Sequence, residues 1–528
     1  MNVTGMNKPA GQQPDDMAVR TADFRRPLVL LMLILCLAPV SSFPGGSPGP
    51  KPDYLATVTV DPGAPGRAIP TGFLGISHEW DQARVMIGDP DIGTNAIYRQ
   101  LLANLISAGA GHLAVRIGGH SADRIGSADP RAARPLAQLF RDLSEPEPQV
   151  SFILGLNLAR RDPGLAARQA GAYLSVMPPG SVSALEIGHE PDTYADLRTR
   201  TGEYRFADYL DEFRKIIGEI WTTVPAAPGF IGPSVSASGL KGFGTQADLQ
   251  KLAALPGVMG LSRHAYPATG TACGGDPQPG MLLQPGATAA VAEAAGTWLK
   301  TVKKPLRITE LNAFNCAEPG ISNSFESALW IADVLFEYVK TGVSGVNVHL
   351  NNRDSTGNWD ASGAFQFHIP EAQYQAAAQP APPAEGPGSA YALKAVLPLY
   401  YGMLLFAESA PMRSVLIPAE VSTDANIRAW VTRNESTGEL KMLLINKEQD
   451  LPGRAGLTVP GYRTGKVKRL MAPSLRSQAG ITWGGITFDA STDGKPLGKA
   501  ETETITPEGS VFEVPLGPAS AVLITFQK

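Results

Sequence analysis

Surplus positive charge is the first thing this sequence lacks. Its 528 residues carry 45 Lys and Arg against 49 Asp and Glu, a formal net charge of −4. Nucleic-acid binding needs a basic face that follows the phosphates, so no nucleic-acid partner is expected. Apolar runs of membrane length are missing too. The most apolar stretch, PLVLLMLILCLAPVSS over residues 27–42, is shorter than the ~18–20 apolar residues that span a bilayer. Arg25 and Arg26 stand before it, Ser41 and Ser42 close it, and the Gly/Pro-rich FPGGSPGPKP follows. A basic flank, a short apolar core and small residues are the pattern of a secretory signal. The expectation is a signal over 1–42, a linker over 43–53 and a secreted or periplasmic protein with no membrane span once the signal is removed. Met17 would open a more ordinary signal, and an uncleaved anchor is the alternative. Cysteine is scarce, with three in all. Cys36 falls inside the apolar run, and the Ile-Leu before it is no lipoprotein cleavage box. That leaves Cys273 and Cys316, an even count that permits one disulfide in an exported chain.

What is abundant is a rhythm of short apolar runs followed by helical patterns. The predicted strands are Phe73–Ser77, His112–Ile117, Ser151–Leu156, Ala184–Ile187, Gly229–Val235, Val258–Ser262, Leu306–Thr309 and Gly345–His349. Between them lie helical stretches such as Asn95–Ala108, Asp208–Ile220, Thr288–Val302 and Ser324–Lys340. Eight βα units with near-continuous apolar strands imply a closed (β/α)8 TIM barrel, here over 69–410. The low-complexity stretch at 371–389 reads as part of a long loop after strand eight, from Asn351 to Ser389. AYALKAVLPLYYGMLLFA (390–407) reads as a final apolar helix kinked at Pro398. From about 411 to 528 the pattern turns to β, with Ile427–Val431, Leu440–Asn446 and Ala519–Phe526 as strands of a C-terminal all-β sandwich domain. The alternating segment at 54–62 has no place in the barrel and is expected to join that sandwich.

Barrel enzymes place their chemistry at the C-terminal ends of the strands. Here those ends are polar: Ser77-His78-Glu79, then Gly119-His120-Ser121, Asn157, His189-Glu190, His264-Ala265-Tyr266, Glu310-Leu311-Asn312 and His349. Such groups are costly in a dry core, and a barrel mouth accounts for all of them. Glu190 and Glu310 close strands four and seven, on opposite sides of the barrel. Two facing carboxylates are what glycoside hydrolysis needs: one protonates the leaving oxygen and the other, ionised, attacks the anomeric carbon. Repulsion and unequal burial would split their pKa values. Taken singly, a Glu after a strand is more often a solvated loop residue.

The motifs carry a resemblance. LEIGHEPD (185–192) looks like the strand-four acid/base motif of the large clan of retaining β-glycosidases, and ITELNAFNC (308–316) like its nucleophile motif. VRIGGHSAD (115–123), RHAYP (263–267), SNSFESALWIADVL (322–335), GVNVHLNN (345–352) and PLYYGMLLFA (398–407) resemble the heparanase and β-glucuronidase family from about residue 54 onward. That resemblance implies Glu190 as acid/base, Glu310 as nucleophile and Tyr266 as a hydrogen-bond restraint on Glu310. It implies a β-glucuronidase, with a β-glycosidase for glucose or xylose as the alternative, and the loop from Asn351 to Ser389, long enough to close one end of the mouth, favours exo action. Glu79, His120, Ser121, Asn157, His189, His264, Asn315 and His349 join Tyr266 as candidate sugar-binding residues, with no cofactor and no metal. The chain departs from the pattern at His189 and His120, where the family usually has Asn, and at Asn315-Cys316, where glucuronidases often have Tyr-Gly holding the uronate. The two rings either reshape the sugar pocket or simply pack on one another. Cys273 and Cys316, after neighbouring strands six and seven, are expected to pair.

Five histidines at strand ends also suit a metal-dependent hydrolase. Such barrels usually open with alternating His on strand one, and here Ser77 and Glu79 flank His78. A non-catalytic carbohydrate-binding barrel is the other rival, and the presence of both glutamates argues against it.

Overall fold

The computed structural model describes residues 55–89, 93–353, 360–368 and 391–528. The signal-like segment, the linker and the 371–389 stretch lie outside the described residues, as does most of the loop expected after strand eight. Among the described residues no helix is long and apolar enough to cross a membrane.

Eight parallel strands close into a barrel in sequential order. They are β1 (Leu74–Glu79), β2 (Leu113–Gly118), β3 (Val150–Leu156), β4 (Val182–Ile187), β5 (Phe230–Val235), β6 (Val258–Ala265), β7 (Leu306–Leu311) and β8 (Gly345–His349). Both faces of these strands are covered, which is why runs such as VSFILGL need no polar alternation. Several strands extend beyond the sequence expectation at the mouth. On β6 and β7 the ladder continues through His264↔Glu310 and Ala265↔Leu311. Glu310 therefore sits within a strand, paired with His264 on the β6 side, while the ladder to β8 is irregular between Ile308 and Leu311.

The apolar stretch before residue 407 corrects the expectation of one kinked helix. Ala392–Val396 is a strand, paired antiparallel with Phe365–His368, and the helix spans Pro398–Ser409. Proline explains the boundary. Pro398 occupies the first helical turn, where no N–H is needed, and its ring drives Leu397 into extended backbone (φ −92°, ψ 161°).

The remainder is an all-β sandwich. One sheet runs through Ser414–Ile417, Ile427–Asn434, Leu440–Asn446, Ser520–Gln527 and Thr464–Met471. The other holds Ala419–Ser422, Gly453–Thr458 and Val511–Leu516, together with the early strand Ala56–Val60, which pairs with the first two. Val58, Val431, Met442, Leu457 and Ile524 fill the space between the sheets. Barrel and sandwich share an interface rather than a linker. The helix Phe325–Thr341 is buried along almost its whole length, and Phe336 stacks on Trp430 of the sandwich at 5.4 Å.

Candidate active site

A cavity of about 620 Å³ opens at the C-terminal ends of the barrel strands. Glu79, His120, His189, Glu190, Tyr266, Glu310, Asn315 and His349 all line it.

Glu310 is the most heavily supported group. Arg116 on β2 donates to its Oε1 at 2.5 Å, and the Tyr266 hydroxyl donates to its Oε2 at 2.7 Å. Imidazole nitrogens of His189, His264 and His349 stand 3.6–3.7 Å from the same carboxylate. Burial pushes the carboxyl upward, but its cationic neighbours, led by His264 and His349 and joined by Arg116, outweigh it and hold Glu310 well below the usual carboxylate range. The carboxylate is anionic across the physiological range.

Arg116 and Glu186 are the residues that sequence reasoning missed. Arg116 is fully buried, donating through Nε to Glu186 at 2.7 Å as well as to Glu310 and, at 3.1 Å, to the Ser77 hydroxyl. Ser234 donates to the other Glu186 oxygen. One guanidinium thus bridges two buried carboxylates, so the charge that holds Glu310 in place is itself neutralised. The available signal was a lone Arg within the apolar strand LAVRIG and a lone Glu within VSALEI.

Arg116 also settles a tautomer. Its Nη2 lies 3.3 Å from Nδ1 of His189. A guanidinium only donates, so Nδ1 accepts and the proton of a neutral ring sits on Nε2. Burial pushes the His189 pKa well below 6.5, which keeps the ring neutral. The His189 and His120 rings pack edge to face at 4.2 Å, and His189 and His264 approach at 4.9 Å.

Glu190 follows the end of β4 with left-handed backbone (φ 46°, ψ 54°), a conformation uncommon outside glycine. Its N–H donates to the Ser234 carbonyl at 3.0 Å, anchoring the turn to β5. The Nδ1 of His264 donates to Glu190 Oε1 at 2.8 Å, and Nε2 of the partly exposed His120 stands 3.9 Å from Oε2. Burial lowers the His264 pKa, but Glu310 and Glu190 more than compensate, and the net shift is upward. A carboxylate oxygen of Glu190 and one of Glu310 lie within 4.8 Å of each other.

Three sugar-binding candidates do not line the cavity: His264, fully buried with its Nδ1 on Glu190, Ser121 and Asn157. Ser121 is buried, donating to the Gly118 carbonyl at 2.9 Å and accepting from the Trp80 N–H. Asn157 is buried with its amide on the carbonyls of Ala122, Asp123 and Ile125. Both brace the turn after β2, because a strand end supplies backbone to satisfy as well as a surface to present. Glu79 lines the wall but also caps that turn, accepting from the N–H of His120 at 2.9 Å and of Ser121 at 2.7 Å. Gly119 (φ 74°) lets the backbone pass so close to that carboxylate that a Cβ would collide with it. His78 is buried outside the cavity: Nδ1 donates to the Leu350 carbonyl at 2.6 Å, and Nε2 accepts from the Tyr98 hydroxyl at 2.9 Å.

His189, Glu190, His264 and Glu310 form a group whose donor atoms could hold a metal ion, as do Glu79, Glu310 and His349. Their existing partners disfavour it. Both Glu310 oxygens and both Glu79 oxygens already accept hydrogen bonds, and a cation there would face the Arg116 guanidinium. The arrangement suits proton transfer and nucleophilic attack between two carboxylates.

Cys273 and Cys316 form a disulfide across the loops after β6 and β7, with Cα atoms 6.1 Å apart. Cys316 lines the cavity, and Ala268–Thr269 pairs with Phe314–Asn315 beside it.

The profile of the glycosyl hydrolase family 79 C-terminal beta domain matches residues 429–523. A Beta-glucuronidase from Neurospora crassa is 23% identical over 502 residues, spanning 83% of this chain and 88% of that protein. Among solved structures, a 4-O-alpha-L-rhamnosyl-beta-D-glucuronidase from Fusarium oxysporum 12S superposes with a TM-score of 0.65 at 16% identity, over 88% of this chain and 100% of that one. A GH51 arabinofuranosidase from Xanthomonas axonopodis pv. citri superposes with a TM-score of 0.61 at 15% identity, over 89% of this chain and 99% of that one. At such identities the two solved structures speak to the fold alone.

Proposed function

We propose that this chain, similar to a β-glucuronidase over most of its length and matching the family 79 C-terminal beta domain, is an exported, exo-acting β-glucuronidase of the heparanase- and β-glucuronidase-like clan of retaining glycoside hydrolases. In this reading Glu310 is the nucleophile and Glu190 the acid/base. The observation that carries it is the approach of the two carboxylates to within 4.8 Å at the barrel mouth. Retaining enzymes keep their carboxyl groups about 5–5.5 Å apart, whereas inverting enzymes leave a wider gap for water.

Glu310, ionised by its cationic surroundings, attacks the anomeric carbon while Glu190 protonates the departing oxygen. Glu190 then takes a proton from the water that releases the sugar from Glu310. The Tyr266 and Arg116 bonds aim the Glu310 carboxylate and stabilise it again as it leaves. The Nε2–H of His189 serves as donor to the sugar 2-hydroxyl, the task of the family's Asn. Because Arg116 fixes the tautomer, that donor is present without protonation of the ring.

The choice of glucuronide rests on the named activity of the Neurospora relative; Arg353 also lies on the cavity wall. A buried uronate requires a cation or paired donors. A second reading, a neutral β-glycoside, is favoured by Asn315-Cys316 in place of Tyr-Gly and by the engagement of Arg124, the other wall guanidinium, with Asp81 at 3.2 Å. Nitrophenyl β-glucuronide, glucoside, galactoside and xyloside assayed side by side separate the two. The glucuronide is expected to lead in kcat/KM. Equal or better turnover of the glucoside or xyloside would replace the uronate reading with the neutral one.

A further inference from the structure

We propose that the opposite, N-terminal end of the barrel is a binding site for a small organic monocarboxylate, held by Arg307 above an apolar floor. A cavity of about 300 Å³ lies there, lined by the opening residues of the strands. Arg307 enters it from β7. Its Nε donates to Asn347 Oδ1 at 2.6 Å and its Nη2 to the Gly72 carbonyl at 3.0 Å. Both acceptors are neutral. Among the described residues no carboxylate comes within 4.0 Å of this guanidinium and Nη1 makes no hydrogen bond.

The contrast within one barrel is sharp. Arg116, near the mouth, is paired with two carboxylates, while Arg307, near the base, has none among the described residues. Burial pushes the Arg307 pKa down to about 10, with no neighbouring charge to offset it. A half-buried cation without an anion costs free energy that a bound anion would return. The fork has been given room: its Nη1 occupies the space where a Cβ on Gly345 would stand.

The rest of the lining selects the class of anion. Ile153, Ala184 and Ile231 form an apolar cluster separate from the main core, and they floor the cavity. The hydroxyls of Ser183 and Ser344 donate to the Phe152 and Leu306 carbonyls, so their protons are not offered to a ligand. His112 donates through Nδ1 to the Pro148 carbonyl and accepts at Nε2 from Ser151, and burial lowers its pKa, so the ring is neutral. A phosphate or sulfate would find one cation and few donors. A carboxylate with a short apolar body matches both Arg307 and the floor.

Benzoate is the probe, titrated calorimetrically into the full protein at constant ionic strength, with sulfate and chloride as controls. Saturable benzoate binding is expected, with a rise in Tm on the order of 1–2 °C at ten times Kd. Arg307→Met is expected to weaken it roughly 10-fold or more. Ala184→Phe fills the floor while leaving the cation, and is expected to abolish binding even if Arg307→Met fails to fold. Hydrolysis of an aryl glycoside should be unaffected by benzoate and by either variant, because the chemistry sits at the other end of the barrel. The proposal is overturned if benzoate does not bind, if sulfate or chloride binds as well, if benzoate survives Ala184→Phe, or if it competes with the glycoside.

Discussion

At the scale of single residues, buried ionisable groups here are tuned by partners rather than by burial alone. Glu310 and His189 sit side by side and both accept from Arg116, yet Glu310 stays charged because its cationic neighbours, His264 foremost, outweigh burial, whereas burial keeps His189 neutral. Glu310→Gln is expected to abolish turnover, since an amide cannot form the glycosyl ester. Glu190→Ala should lose most activity on poor leaving groups, keep more on activated aryl glycosides, and recover rate with azide; full activity on an unactivated glycoside would reject its role. His78 gives a pH signature of a different kind. Burial lowers its pKa from 6.5 to about 3. The unfolded chain therefore binds a proton below about pH 6.5 that the folded chain refuses until about pH 3, so stability is lost as pH falls through that window. By pH 5 the loss is about 2 kcal/mol. In urea unfolding at pH 7 and pH 5, His78→Gln should show a smaller drop than the unsubstituted protein. An equal drop would mean that His78 titrates normally.

At the scale of elements, strand ends and their loops decide how firmly the site is held. Glu310 is locked in β7, while Glu190 hangs on a left-handed turn and relies on the bonds to Ser234 and His264. The disulfide fastens the loop just beyond Glu310. Its ring closes over a sequence separation of 43 residues, which in the chain-entropy model stabilises by about 4 kcal/mol. Cys273→Ser with Cys316→Ser should lower thermal stability and, because Cys316 lines the cavity, raise KM more than it lowers kcat. An unchanged KM would show that the loop keeps its course without the bond. The pairing was legible from neighbouring strand numbers. The hairpin at 392–396 was not, because AYALK reads equally well as the first turn of an apolar helix until Phe365–His368 is seen beside it.

At the scale of the whole molecule, barrel and sandwich are joined through a buried polar knot. Asp333 on the helix Phe325–Thr341 accepts from Trp430 Nε1 at 2.7 Å, from Thr288 at 2.5 Å and from Lys447. Burial raises its carboxyl, but Lys447, Arg428 and these bonds prevail and depress it. That stabilisation is present above the ordinary carboxylate range and is lost as pH falls below about 4. Asp333→Ala leaves Lys447 buried without its partner, and a cost of about 3–5 kcal/mol is expected. Calorimetry should show one lowered transition if the two parts unfold together. Two separated transitions would mean that this knot alone couples them.

The amino-acid sequence by itself determined the barrel, the sandwich and the two glutamates. Each is written in local terms: eight apolar runs at regular spacing, alternation beyond residue 411, and a carboxylate placed after an apolar strand twice over. Tertiary structure alone decided what surrounds those carboxylates. Nothing in LAVRIG says that Arg116 reaches Glu186, Glu310 and His189 at once, because those partners come from two other strands and one turn. Nor does a polar strand end say whether its side chain faces the cavity, as His189 does, or turns back to satisfy backbone, as Ser121 and Asn157 do. A strand's pattern places a residue at the mouth. Only the closed barrel, by bringing donors and acceptors from distant strands within hydrogen-bond reach, settles which atoms remain for a ligand.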